Sequence, residues 1–329
     1  MSFKVEEWNA VSELFTGSLL LGNGSSIAID PSFNYSNLFS NAKLPENVKS
    51  IFDSFHSQDF EYILRKFTQA TVINNIFNID CDHIHQAHSQ VKKTLINTVK
   101  SIHPCIDKVR DKINNCASFI KQFDTIFSLN YDIMLYWAIM QVNDNHPYPL
   151  FKDCFNRSSF YEDFEEYREY RGNRSNLVFY PHGNLILAKN ENDEELKLSI
   201  QGDNHLIDQI SQNWDDHNYS PLFISEGTSE EKLKTIRSSN YLTRIYHEAI
   251  PTINDSLLIL GWNMGTQDEH ILKQIPFDKI ENLGIVILMD DKYEDKCNYF
   301  YSRISHFINP NKIDVHFIAH NSKALWAND

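Results

Sequence analysis

The chain has 329 residues, 42% hydrophobic and 22% charged, with 30 Lys and Arg against 44 Asp and Glu and a net charge of −14 at pH 7. That length buries a real core in one large domain or two intimate ones, and 22 Phe and 15 Tyr against only 10 Gly exclude a disordered chain. The acidic balance, without any cluster of Lys and Arg, excludes a duplex-binding surface, yet backbone amides could still hold a small anion locally.

The cysteines Cys81, Cys105, Cys116, Cys154 and Cys297 form no CxxC pair. Neither a zinc ribbon nor a disulfide framework is expected, and reduced thiols fit a cytoplasmic protein. Met1 to Glu7 has no signal-peptide pattern, and no apolar run approaches the roughly 20 residues that span a bilayer. No membrane or direct nucleic-acid partner is expected.

Val5 to Phe15 has a short helical pattern. Phe15 to Leu21 is an apolar run, expected to be a strand, that meets Gly22-Asn23-Gly24-Ser25-Ser26. A strand breaking into a glycine turn suits an anionic ligand. Glycine permits close approach, and the N–H groups of the turn, or of a helix starting there, point at a phosphate. The same spacing also serves as plain punctuation. Asp30 to Tyr35 is turn-rich and would lie over anything bound there, as a lid or as a simple surface loop.

Leu44 to Ile79 and His83 to Phe123 repeat apolar residues three and four apart, as in Phe60, Ile63, Leu64 and Phe67, then Val91, Leu95, Ile96 and Val99. This predicts a helical insertion at about 44–123, broken at Pro104. Cys81, His83, His85 and His88 have no converging second half, so they read as a polar helix start rather than a metal site.

Thr125 to Leu129 reads as a strand ending in Asn130-Tyr131-Asp132, before an apolar helix, Ile133 to Val142. Polar residues at the carboxyl end of a strand sit where open α/β sheets bind ligands, and Asp132 is equally placed to cap the helix. Ser158 to Arg174 reads as a surface helix or loop. Leu177 to Tyr180 is a strand stopped by Pro181, so His182 is held between Pro181 and Gly183 with its ring displayed, although a lone His is more often structural. Leu185 to Ala188 continues as strand, Asn190 to Leu196 is a polar loop, and Leu206 to Trp214 is a short helix.

Pro221 to Ser225 is a strand ending at Glu226-Gly227-Thr228, followed by a helix capped by Ser229 and another from Tyr241 to Ile250. Ser256 to Leu260 is a buried strand entering a second glycine turn, Gly261-Trp262-Asn263, with Asp268 near the next helix start. Gly284 to Met289 is a strand ending at Asp290, Tyr293 to Phe307 is helical, and Ile313 to Ile318 is the last strand. Apolar strands alternating with helices specify a Rossmann-like α/β fold, a parallel sheet with helices on both faces and the helical insertion after the first strand. Its strand ends would gather Gly22 to Ser26, Asn130, Asp132, His182, Gly183, Gly261 to Asn263 and Asp290 along one edge.

The order of these motifs resembles the sirtuin family. Gly22-Asn23-Gly24-Ser25 is similar to its Gly-Ala-Gly-x-Ser cofactor loop, Asn130-Tyr131-Asp132 to its Asn-x-Asp loop, His182-Gly183 to its catalytic His-Gly, and Gly261 to its Gly-Thr-Ser loop. Asp290 falls where the family places a polar residue against the adenosine ribose. The resemblance covers nearly the whole chain and implies one domain over 1–329. Three departures stand out. The zinc cysteines that the family's deacylases carry after the His-Gly are missing, as is the Pro-Asp-Phe-Arg segment, and the second loop reads Gly261-Trp262-Asn263. The chain is thus more similar to the zinc-free sirtuin-like branch of bacterial antiphage defence, whose members hydrolyse NAD and deplete it in abortive infection.

The resemblance implies an NAD glycohydrolase, with NAD as substrate and no metal. Gly22, Asn23, Gly24, Ser25 and Ser26 would cradle the phosphates. Asn130 would hold a ribose hydroxyl or orient the attacking water, and Asp132 would face the nicotinamide or the growing positive charge. His182 would act as general base, with a reference pKa of about 6.5. Gly183, Gly261, Trp262 and Asn263 would complete the cofactor-binding surface, and Asp290 would bind the adenosine ribose. An NAD-dependent deacylase and a non-catalytic NAD or ADP-ribose sensor are the alternatives. Silence until infection would require a homo-oligomer or a partner protein of the defence system.

Overall fold

The long apolar runs of the sequence pair with one another, because both of their faces must leave water. In the computed structural model, which describes residues 3–33, 38–58, 60–156, 159–198, 206–216, 219–224, 227–309 and 311–328, they form one eight-stranded parallel sheet. Its strands are β1 (Val5–Glu6), β2 (Ser18–Leu21), β3 (Thr125–Ser128), β4 (Phe151–Lys152), β5 (Asn176–Phe179), β6 (Asp255–Leu260), β7 (Ile280–Ile287) and β8 (Asp314–Ala319). Their order across the sheet is β1-β8-β7-β6-β2-β3-β5-β4. Setting aside the two short edge strands and counting from β2, this is the 3-2-1-4-5-6 order of a doubly wound Rossmann sheet, with its switch point between β2 and β6. Every residue of β2 and β3 is buried.

The helical insertion predicted for about 44–123 consists of helices Glu46–Ser54, Phe60–Ile76, Asp82–Ile102 and Ile106–Ile120. The last two part at Pro104, as its missing N–H requires. Ile106, Val109, Ile113 and Ile120 turn to the core. At the far end of the insertion, Val72, Ile73, Ile76, Phe77 and Ile79 are exposed.

Several expectations are corrected. Val5 and Glu6 are not helical; they pair with Phe317 and Ile318, because β8 would otherwise leave its outer backbone groups without a partner. The helical pattern holds from Trp8, as the turn Trp8–Val11 continued by a 3-10 turn, Ser12–Leu14. The chain beyond His182 leaves the parallel sheet and pairs with two short earlier strands in a second, antiparallel one, in the order Ser220–Phe223, Gly183–Lys189, Glu195–Lys197, Ser159–Phe160, Phe155–Asn156. The polar loop at Asn190 is a hairpin turn, with the Asn190 Oδ1 accepting from the amides of Asn192 and Glu194. Thr228, not Ser229, caps the helix Ser229–Ile236, in a reciprocal capping box with Glu231. The helix expected from Tyr241 to Ile250 begins as Asn240–Arg244 and then widens into a π turn, Ile245–Ala249. Asn34, Tyr35, Ser225 and Glu226 lie outside the described residues. No described helix is long and apolar enough to cross a membrane.

Candidate active site

The two glycine turns meet at the switch point. β2 ends at Gly22, and the helix Asn23–Ile29 starts at once. β6, its neighbour, ends at Gly261, whose φ of +72° lies in the left-handed region. The Gly22 N–H donates to the Leu260 carbonyl at 2.9 Å and the Gly24 N–H to the Gly261 carbonyl at 2.8 Å. A Cβ on Gly22 would lie 2.5 Å from the Trp262 Cα, and one on Gly24 2.7 Å from the Gly261 Cα. Glycine is therefore required here so that two backbones can touch. The amides of Gly22 and Gly24 are engaged by the neighbouring turn, which differs from the bare phosphate cradle expected of them.

The middle loop clamps the first. The Asn130 side-chain amide donates to the Gly22 carbonyl at 3.0 Å, to the Ser25 Oγ at 3.0 Å and to the Ser26 Oγ at 2.9 Å. The Ser26 hydroxyl donates to Asp132 at 2.5 Å, and the other Asp132 oxygen accepts the Met134 N–H at 2.9 Å at the start of the helix Met134–Asp144. Asp132 thus tethers its helix and also reaches the cleft. Burial raises its pKa above the usual carboxylate value, and the Ser26 hydrogen bond tempers the rise. Asn184, which the sequence reading passed over, is fully buried and donates to the Asp132 carbonyl at 2.6 Å, bracing this loop from the second sheet.

His182 stands where the chain crosses from β5 to the second sheet. Its carbonyl accepts the Ile224 N–H at 2.7 Å, and Gly183, with φ +73°, is pressed so close to the Leu222 carbonyl that a Cβ would sit 2.2 Å away. The ring is 3% exposed, and its Nε2 lies 3.0 Å from the Nε2 of His270. Burial, then the nearby Lys232 ammonium, hold His182 well below its ordinary pKa. Beside it Lys232 donates to Asp268 at 2.7 Å, and the Trp262 indole N–H donates to the other Asp268 oxygen at 3.1 Å. Burial pushes the Asp268 carboxyl up, but His182 and Lys232 outweigh this and bring its pKa to about 2. His182, Asp268 and His270 have ligand-type atoms within 4.8 Å of one another. Both Asp268 oxygens are nevertheless taken, and a fixed ammonium at 2.7 Å repels a metal ion.

These groups line a cleft of about 570 Å³, within the range of small-molecule sites. Of the residues predicted from sequence, Gly22, Asn23, Gly24, Asn130, Asp132, His182, Gly261, Trp262 and Asn263 line it. Ser25 and Ser26 are buried behind that surface, as is Gly183. Asp290 does not line the cleft. It is ion-paired with Lys296 at 2.5 Å and accepts the Lys292 N–H at 3.0 Å. Lys232 and Asp268 join the lining, the first unforeseen and the second expected only as a helix-start acid. A larger cavity, about 1010 Å³, adjoins across Gly227 and Gln267, but its acidic lining of Asp53, Glu230 and Glu231 opposes an anionic ligand.

A protein-family model, described as a domain of unknown function, matches residues 19–326. No curated protein matches the chain.

Proposed function

The chain belongs to that family, DUF4917, and from its cleft we propose that it hydrolyses NAD, cleaving the nicotinamide N-glycosidic bond to give nicotinamide and ADP-ribose. The observation that carries this reading is the position of the cleft. It opens at the β2–β6 switch point of a Rossmann sheet, where open α/β sheets take dinucleotides, and Asn130 and Asp132 reach it from one loop and His182 from another. The bond that breaks develops positive charge on the ribose. A polar cleft holding a buried carboxyl, Asp132, and an imidazole kept neutral by burial suits that change of charge. His182 can take a proton from water or from a ribose hydroxyl, and the loop clamped by Asn130 fixes the ribose side of the site.

In a bacterial cell such an activity would deplete NAD during phage infection, and restraint by self-assembly or a partner protein belongs to the same proposal. Purified protein mixed with NAD should yield ADP-ribose by mass detection. A second reading, a nucleotide sensor without turnover, draws on the Asn130 amide and both Asp132 oxygens being engaged within the protein. Calorimetric binding of NAD with no product would overturn the hydrolase in its favour.

A further inference from the structure

We propose that the tip of the helical insertion is a self-docking surface, through which two copies of the chain pair about a two-fold axis. Five apolar side chains, Val72, Ile73, Ile76, Phe77 and Ile79, are each between 54% and 71% exposed there. Val72 and Ile76 lie four apart, as do Ile73 and Phe77, so they form one stripe at the end of the helix Phe60–Ile76. The stripe is not a frayed end. Asn78, with φ +54°, closes the helix: its N–H donates to the Asn75 carbonyl at 3.2 Å, and the Ile79 N–H donates to the Asn74 carbonyl at 2.9 Å. This is a Schellman cap, in which a left-handed residue lets the last carbonyls find donors. The Cys81 thiol, 3.5 Å from the Ile79 carbonyl and 3.6 Å from the Asn75 side-chain oxygen, holds the turn that follows. The backbone of the tip is thus fixed by bonds of its own, while its apolar side chains stay in water.

The chemistry of the tip selects the occupant. From Phe67 to Val91 the only Asp, Glu, Lys or Arg residues are Asp80 and Asp82, and residues 67–79 carry no charge. An anionic lipid surface is met through Lys and Arg beside the apolar residues, whereas this flank is acidic. A second copy, with a net charge of −14, is repelled across most of its surface but not where the facing residues are uncharged.

Area points the same way. The five side chains leave on the order of 500 Å² of apolar surface in water, near the top of the range for the largest patch of a monomer. With the exposed Gln69, Asn75 and Asn78 beside them, the tip comes to about 800 Å², the share that each partner buries in a standard two-chain interface. A two-fold axis sets this stripe against itself. At its rim, the exposed His83 and His85 of one copy can donate to Asp80 or Asp82 of the other. None of these residues lines the cleft, so the pairing does not depend on the ligand read into it.

Light scattering and sedimentation equilibrium on the full chain decide the matter. Wild type should be a dimer that dissociates in the micromolar range. Ile76→Asp and, separately, Phe77→Asp should weaken pairing by about a hundredfold or more, with circular dichroism unchanged because both positions are exposed. A wild-type mass of one chain at submillimolar concentration would overturn the proposal. So would a dimer that Ile76→Asp leaves intact, or assemblies that keep growing beyond two copies. Wild type that stays a single chain in solution yet sediments with phosphatidylserine vesicles, when Ile76→Asp does not, would give the tip to a membrane instead. Absence of NAD turnover would remove the hydrolase reading and leave the mass measurements to decide the dimer.

Discussion

His182 has to be judged by its position, because burial makes it a weak base whatever its reference pKa. His182→Ala should lower NAD hydrolysis by about a hundredfold or more, as expected for a lost acid–base group. Asn130→Ala should do the same by a different route, since it removes the donor shared by the Gly22 carbonyl, Ser25 and Ser26. Full activity in both purified variants refutes the assignment. Lys232 poses a question of stability. Its ammonium is the cation beside an Asp268 that is itself nearly buried, so Lys232→Met strands a carboxylate. The expected loss is about 3–5 kcal/mol in urea titrations, and adding Asp268→Leu should recover part of it. A Lys232→Met protein as stable as wild type would show that the ion pair is not what holds this wall.

At the scale of elements, the two glycine turns behave as one unit although they lie far apart in the chain. A Cβ on Gly261 would fall 2.2 Å from the Ser25 nitrogen, at a backbone angle that side chains rarely adopt. Gly261→Ala should therefore cost at least about 1–3 kcal/mol and weaken NAD binding together with stability. An unchanged denaturation midpoint would count against this close packing.

The central strands were legible in sequence because each is a continuous apolar run between turn residues; β2 and β3 fall within their expected segments, while β6 starts one residue and β7 four residues earlier than expected. The antiparallel sheet was legible only in part, through the apolar runs Leu185 to Ala188 and Pro221 to Phe223. Two of its strands are only two residues long, too short for any alternation to register. The site divides in the same way. Glycine turns, Asn130, Asp132 and His182 carry local signals at strand ends. Lys232 and His270 lie on helices and acquire meaning only through residues brought to them by the fold, and the one clue was the acid of Asp268 just after the second glycine turn. Asp290 shares the strand-end signal but its carboxylate is engaged by Lys296 from the following helix, Tyr293–Ile304, a pairing that the strand pattern could not show.

For the molecule as a whole, pH is the informative variable. His103 and His270 are brought by burial to pKa values of about 4, His88 to about 4 with more solvent near it, and His182 well below the ordinary value. Between those values and the unfolded-state value of about 6.5, the unfolded chain binds protons that the folded chain refuses. Stability should therefore fall as the pH drops from about 6.5 to about 4, by up to about 1.4 kcal/mol per pH unit for each fully buried group. Asp132, raised by burial, works in the opposite direction near the lower end, and Asp268, at about 2, contributes its loss only below about 4. Urea midpoints measured from pH 7 to pH 4 check this, and a flat profile would mean that the histidines are hydrated in solution.

The joining of β2 to β6 also has a consequence during synthesis. Strand β2 finds one of its neighbours only at residues 257–260, and the turn at Gly22 closes only against Gly261 and Trp262. A nascent chain emerging from the ribosome N-terminus first has no finished wall for a nucleotide until about four fifths of it has been made. Translation that stops before that point leaves the cleft unbuilt, so on the proposed NAD-hydrolase reading the activity would be withheld from incomplete copies by topology alone.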